Sequence, residues 1–311
     1  MVQTPFEMTG VKSSIAAGED FLEALADAHD HVTLQTWEPQ PTGDATRLGM
    51  FSVKVGTGHT AAGVIGSIHG NELSGREACF AFARDLAEST DPTIQAYLED
   101  HAWSFMATAN PAGVADTRRT NDNSEDLNRD YDLFTQPETQ AIDAWLLSEP
   151  PVLVMDLHEG SSSDLGAYHV NTGKIPSDTP LTEILAMAVL LNDSMSTTYV
   201  AEGYTWKNYG VTNDGTLRKH GHPRYKIVAE LIEANNTIQT LGQRIEAHRL
   251  GLRTAMLHHL SNAAAYEAAY VADGGTGRPV AETPDGWFIM RGGSLVPVDG
   301  FVSRGGGLIP L

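Results

Sequence analysis

Apolar and polar positions along the chain fall into short periodic blocks whose period alternates between helical and extended. Phe21, Leu22, Leu25 and Ala26 recur at helical spacing within Glu19 to His29, which predicts an amphipathic helix. Val32 to Trp37 and Leu48 to Val55 read as strands on either side of the turn-rich Pro39 to Ala45. Ala61 to Ile68 is apolar throughout, the pattern of a central strand buried on both faces, and Leu73 to Ser89 reads as a helix packed back on it. Trp103 to Ala107 is a strand broken by the loop Asn110-Pro111-Ala112-Gly113. From Val114 to Thr135 the chain is polar with little periodicity, as in a functional loop. Helix resumes over Pro137 to Leu147, followed by strand over Pro151 to Leu157, helix over Leu181 to Leu191, strand over Ile227 to Ile232 and a long amphipathic helix over Ile238 to Leu260.

This alternation predicts an α/β fold: a mixed, largely parallel central sheet with helices on both faces. After Ser261 the composition shifts to alanine and then to glycine-rich short apolar runs, Trp287 to Met290 and Gly300 to Val302. Residues 1–261 therefore read as the main domain, and 262–311 as a small β-rich C-terminal extension or tail.

Composition narrows the partners. The 311 residues are 41% hydrophobic and 19% charged, in the range of a soluble globular protein, and they carry a net charge of −20 with six lysines among twenty basic residues. Such a surface repels nucleic acid and anionic membranes, and neither is expected as a partner. It would suit a cytosol of high salt, where self-repulsion is screened, or be simply acidic. The first residues lack the pattern of a signal peptide, no run of eighteen apolar residues occurs, and cytoplasmic residence is the default expectation. The lone Cys79 lies in an apolar helix pattern and reads as a small buried hydrophobe.

The candidate chemistry begins where the Ala61 to Ile68 strand ends. Val64 to Gly75 reads V-I-G-S-I-H-G-N-E-L-S-G, with His69 and Glu72 three residues apart in a glycine-bracketed turn. Ligands at the carboxyl ends of strands are where open α/β sheets put their sites. A hydrolytic zinc site needs about three protein ligands and an open position. His158, delivered by the apolar run ending V-L-V-M-D-L-H-E-G, supplies a third, and Asp156 is either structural or an acceptor for an imidazole N–H. Of twelve histidines only these two directly follow such runs; His29, His31, His59, His101, His248, His258 and His259 read as solvated or structural.

A general base is the next requirement. Glu230 interrupts an apolar strand, where a carboxylate is costly without a role, and is the favoured candidate; Glu233, just beyond, is its rival. Cations for a substrate anion or oxyanion come from the polar loop, with Arg118, Arg119 and Asp126-Leu127-Asn128-Arg129, since guanidinium forks bind carboxylates bidentately. These arginines could equally pair with Asp116, Asp122, Glu125 and Asp126 nearby.

The series G-S-I-H-G-N-E-L-S-G, N-P-A-G, R-R-T-N, D-L-N-R-D-Y, Q-P-E-T-Q-A-I and D-L-H resembles the zinc carboxypeptidase superfamily over roughly residues 61 to 260. Its H-G-N-E is more like the succinylglutamate desuccinylase and aspartoacylase branch, while N-P-A-G is nearer the peptidases. The resemblance implies one zinc per chain on His69, Glu72 and His158. It implies Arg119, or alternatively Arg118, as the group polarising the carbonyl, Asn128 and Arg129 as holders of a substrate carboxylate, and Glu230 as the base. A mobile tyrosine of the peptidases has no clear register here among Tyr199, Tyr204 and Tyr209. D-G-T-L-R-K-H is similar to their specificity segment, and Arg218 within it would favour an acidic group on the substrate. The expected function is zinc-dependent hydrolysis of an amide bond in a small or short-peptide substrate with a free carboxylate. Deacylation of N-acyl amino acids is the leading version, a metallocarboxypeptidase the alternative, and a non-catalytic zinc or carboxylate-binding protein the reading from another class.

Overall fold

The computed structural model describes residues 15–37, 50–160, 169–174, 182–210, 215–275, 288–291, 294–297, 301–304 and 307–310. Helix α1 (Ile15–Ala28) leads into strands β1 (Val32–Trp37), β2 (Met50–Val55) and β3 (His59–Gly66), then α2 (Leu73–Ala87), α3 (Pro92–Asp100) and β4 (His101–Met106). The short α4 (Pro111–Asp116) precedes the polar loop, and α5 (Pro137–Ser148), β5 (Leu153–Gly160), β6 (His169–Lys174), α6 (Glu183–Ala201) and β7 (Thr205–Gly210) follow. Helix α7 (Leu217–Tyr225), β8 (Val228–Asn235) and the 32-residue α8 (Leu241–Ala272) complete the main unit. Two separate hairpins come last: β9 (Phe288–Arg291) with β10 (Ser294–Pro297), and β11 (Phe301–Arg304) with β12 (Gly307–Pro310).

Eight strands form one sheet in the order β1-β2-β4-β3-β5-β8-β6-β7. The central β4, β3, β5 and β8 run parallel, and antiparallel pairs β1/β2, β2/β4 and β6/β8 flank them. Val64, Ile65, Leu153, Val154, Val228 and Ile232 are fully buried, because helices cover both faces. Close approach identifies the layers. A methyl at Gly66 would strike Arg76 and one at Gly75 would strike Leu157, which puts α2 on one face; α8 packs beside it. A methyl at Gly63 would touch Trp145 and one at Gly221 would meet Ala229, which puts α5 and α7 on the other.

Several boundaries depart from the pattern-based reading. Asn110-Pro111-Ala112-Gly113 is the start of α4 rather than a loop: the Asn110 side chain accepts from Gly113 N–H and Pro111 occupies the first turn. Helix α3, unanticipated, begins the same way, with Asp91 capping Thr93 N–H. Helix α8 runs past Leu260 to Ala272 through a kink at Asn262, so the expected boundary at 261 falls inside a helix. Among the described helices α6 alone is long and apolar enough to cross a membrane, but Ile184, Leu191, Met195 and Tyr199 bury its inner side within the protein.

Candidate functional site

The turn after β3 is held from three sides. Ser67 takes φ 52°, Glu72 N–H donates to His69 O at 3.0 Å, and Ser67 Oγ donates to Glu72 O at 3.1 Å. Asn110 Nδ2 donates to Ile68 O at 3.2 Å, and Gly70 lies so close to α4 that a Cβ there would be 1.9 Å from the Gly113 carbonyl carbon. His69 and Glu72 are thereby aimed together, and β5, in parallel register with β3, delivers His158 beside them. His69 Nδ1 is 2.8 Å from Glu72 Oε1, His158 Nδ1 is 3.0 Å from Glu72 Oε2, and the two Nδ1 atoms are 3.1 Å apart. All three residues are buried, and among the described residues they form the one group of three such donors close enough to share a metal ion.

The surroundings fix the donor atoms. Asp126 Oδ1 lies 3.1 Å from His69 Nε2, and Asp156 Oδ2 lies 3.0 Å from His158 Nε2. The Asp126 carboxylate behind His69 Nε2 favours the proton there and leaves the His69 Nδ1 directed at the shared point, while Asp156 stands beside His158 Nε2 as a neighbouring charge. Two imidazole nitrogens and one carboxylate oxygen suit zinc, whose tetrahedral ligands at about 2.0–2.2 Å stand about 3.4 Å apart, close to the separations found here. Burial alone would raise the Glu72 carboxyl, but His158 and His69 outweigh it and hold it far below the usual carboxylate range. Burial likewise opposes charge on His158, yet Asp156 and Glu72 carry its pKa well above the ordinary value.

The two candidate bases separate by face. In the β5/β8 register Met155 pairs with Glu230 and His158 with Glu233. Side chains alternate along a strand, so Glu233 shares the face of His158 while Glu230 points to the α2 and α8 side. The choice of Glu230 is corrected on this ground. Burial raises the Glu233 carboxyl, against the charges of His158, His69 and Arg119, which all act on it. Its Oε2 occupies the space above Gly160, where a Cβ would be 1.9 Å away. Glu230 is 2% exposed, and burial pushes its pKa up to about 7, opposed by the charge of Arg218.

Arg119, and not Arg118, borders the cluster. Its Nη1 is 3.4 Å from Glu72 Oε1, and Nε and Nη2 bind Asp126 Oδ2 at 3.0 and 2.9 Å, leaving the side chain 45% exposed. Arg118 is occupied by Asp116, Asp122 and the Asn121 carbonyl. Asn128 is buried with Nδ2 3.2 Å from His158 Nε2, and its Oδ1 accepts from Leu217 N–H at 3.3 Å. Arg129 beside it is exposed and donates to the Asn128 carbonyl. Arg218 of α7 is 7% exposed, next to Leu217 whose N–H donates to Asn128, and its charge acts on Glu230. Tyr199 is a core residue donating to Ala247 O, with Tyr204 edge-on against it, and the Tyr209 side chain lies outside the described residues. His248 and His259, read as solvated or structural, are fully buried.

Sequence reasoning did not assign a role to Gly160 or Glu159. The H-E-G triplet was the available signal for both: a glycine at a strand end beside a ligand makes room for a neighbour.

A family model described as zinc carboxypeptidase matches residues 50–241, more than half of the chain. Human carboxypeptidase D is 36% identical over 115 residues, 31% of this chain and 8% of the relative. Carboxypeptidase E of Caenorhabditis elegans is 32% identical over 139 residues, 31% of this chain and 29% of the relative. The chain thus spans less than a third of the length of either. A metallo-carboxypeptidase from Burkholderia cenocepacia superposes with a TM-score of 0.63 at 14% identity, over 77% of this chain and 67% of its own. Bovine thrombin-activatable fibrinolysis inhibitor, in complex with tick carboxypeptidase inhibitor, gives 0.62 at 11% identity, over 80% and 97%. At these identities the structural likeness concerns the fold.

Proposed function

The chain belongs to the zinc carboxypeptidase family, and from that premise we propose that it removes C-terminal residues from peptides whose terminal carboxylate is free. The observation that carries this reading is the convergence, on one face of the strand ends, of the His69, Glu72 and His158 donors, the Glu233 carboxylate and the Arg119 guanidinium.

Zinc held by the three donors supplies Lewis-acid polarisation of the scissile carbonyl and a lowered pKa for water. Glu233 accepts the proton of the attacking water at its carboxylate and returns it to the amide nitrogen as the C–N bond breaks. Burial raises its carboxyl above the ordinary carboxylate range, which favours holding the proton before it is returned. Arg119 donates to the developing oxyanion. Asn128 and Arg129 hold the terminal carboxylate, which fixes the peptide so that only its last amide bond reaches Glu233. The carboxypeptidases among the relatives support peptides as substrates. A second reading, deacylation of N-acyl amino acids, rests on the Gly70-Asn71-Glu72 turn and uses the same carboxylate contacts.

The test is metal content and substrate choice together. Purified protein is expected to hold one zinc per chain and to lose it in His158→Ala. It should cleave peptides with free but not amidated C-termini. Faster turnover of N-succinyl or N-acetyl amino acids than of peptides would favour deacylation. Stoichiometric zinc surviving His158→Ala would sink the ligand assignment, and full activity in Glu233→Ala would place the base elsewhere.

A further inference from the structure

The residue after the third ligand has a task of its own. Glu159 follows His158 in β5, so its side chain points to the opposite face, toward α2 and α8, where it is 9% exposed. Glu72 occupies the N-cap position of α2 but makes no capping bond with its side chain, because its carboxylate is turned to His69 and His158. The helix start would be left with an unmet N–H. Glu159 Oε1 meets it, accepting from Ser74 N–H at 2.8 Å, and brings a negative charge to the positive end of the helix. The Glu159 peptide N–H in turn donates to Glu72 Oε2 at 2.9 Å. Behind it, Arg244 of α8 forms an ion pair with Glu159 Oε2 at 3.2 Å while its Nη1 donates to Gln239 O at 2.7 Å.

We infer that Glu159, locked by Arg244, is a positioning residue that substitutes for Glu72 as the cap of α2 and so frees Glu72 to face the metal. This rests on the metal reading above. The two contacts act on different atoms of one residue: the carboxylate holds the helix that carries Glu72, and the peptide N–H holds the Glu72 carboxylate itself. Loss of the side chain lets the helix start move against β5 and loosens one ligand of three.

The experiment is zinc affinity, measured by competition with a chromophoric chelator, in Glu159→Ala, Glu159→Gln and Arg244→Gln, beside the melting temperatures of the zinc-free proteins. Groups that orient metal ligands are worth about 10–100-fold in affinity. Glu159→Ala is expected to weaken zinc by about that factor, whereas Glu159→Gln, whose amide oxygen can still accept from Ser74 N–H, should rescue most of it. Arg244→Gln should weaken zinc about 10-fold by releasing Glu159. If Glu159→Ala yields no folded protein, the other two variants decide. A melting temperature that falls while zinc affinity stays at the wild-type value in Glu159→Ala or Arg244→Gln would overturn the inference and leave a structural cap. Wild-type protein that takes up no zinc would instead refute the metal reading, so the two failures are distinct.

Discussion

Gly160→Ala should inactivate the enzyme without unfolding it or emptying the metal site. A methyl at this position would lie 1.9 Å from Glu233 Oε2, where ordinary contact begins at 3.4 Å, so the carboxylate must retreat by about 1.5 Å. The atom that yields is the far end of a flexible side chain, and Gly160 is not among the positive-φ glycines, so the backbone accepts alanine without strain. Replacing glycine at a compatible position changes stability by about 1 kcal/mol or less. Misplacing a reacting group by about 1 Å can cost about 100-fold in rate, which corresponds to about 2.7 kcal/mol of transition-state stabilisation. The assay is kcat/KM on a peptide with a free C-terminus, with zinc content and melting temperature measured on the same sample. Glu233→Gln and the double variant Gly160→Ala/Glu233→Gln should be equally inactive, because the two changes disable one group. Wild-type kcat/KM in Gly160→Ala, with the fold intact, would refute Glu233 as the base.

Glu230 gives the complementary outcome. Its folded pKa of about 7 lies above the ordinary 4.5, so this group's contribution to stability is present below pH 4.5 and lost as pH rises through 7. The loss amounts to about 3 kcal/mol. Glu230→Gln should therefore flatten the melting temperature between pH 5 and 8 while keeping activity, and an inactive but folded variant would return the base role to Glu230. Arg119→Ala should lower kcat about 100-fold or more, as loss of an oxyanion donor does, whereas Arg129→Ala should chiefly raise KM; steady-state kinetics that reverse this split would exchange their roles. Gly70→Ala forces a methyl against the Gly113 backbone, where nothing flexible can yield, and should cost about 1–3 kcal/mol along with zinc affinity. Calorimetry and chelator competition read both, and an unaffected variant would show that the turn is not clamped by α4.

The candidate metal donors were legible in the chain itself. His69 and His158 each follow an apolar run, Glu72 lies three residues from His69, and the Asp126-Leu127-Asn128-Arg129 unit is contiguous, so strand ends and short spacings carried the information. The alternation of periods also carried the mixed sheet covered on both faces. Which glutamate faces the donors was not legible. Alternation alone puts Glu230 and Glu233 on opposite faces of β8, but both faces of this strand are buried under helices, so hydrophobicity cannot say which one meets the ligands. The β5/β8 register, pairing His158 with Glu233, puts Glu233 on that face. The same holds for Glu159 and Arg244, 85 positions apart, whose pairing depends on α8 crossing behind the strand ends. Local spacing could nominate the metal site, but only a packed sheet, in which a shift of one residue exchanges the faces, could place one carboxylate beside it.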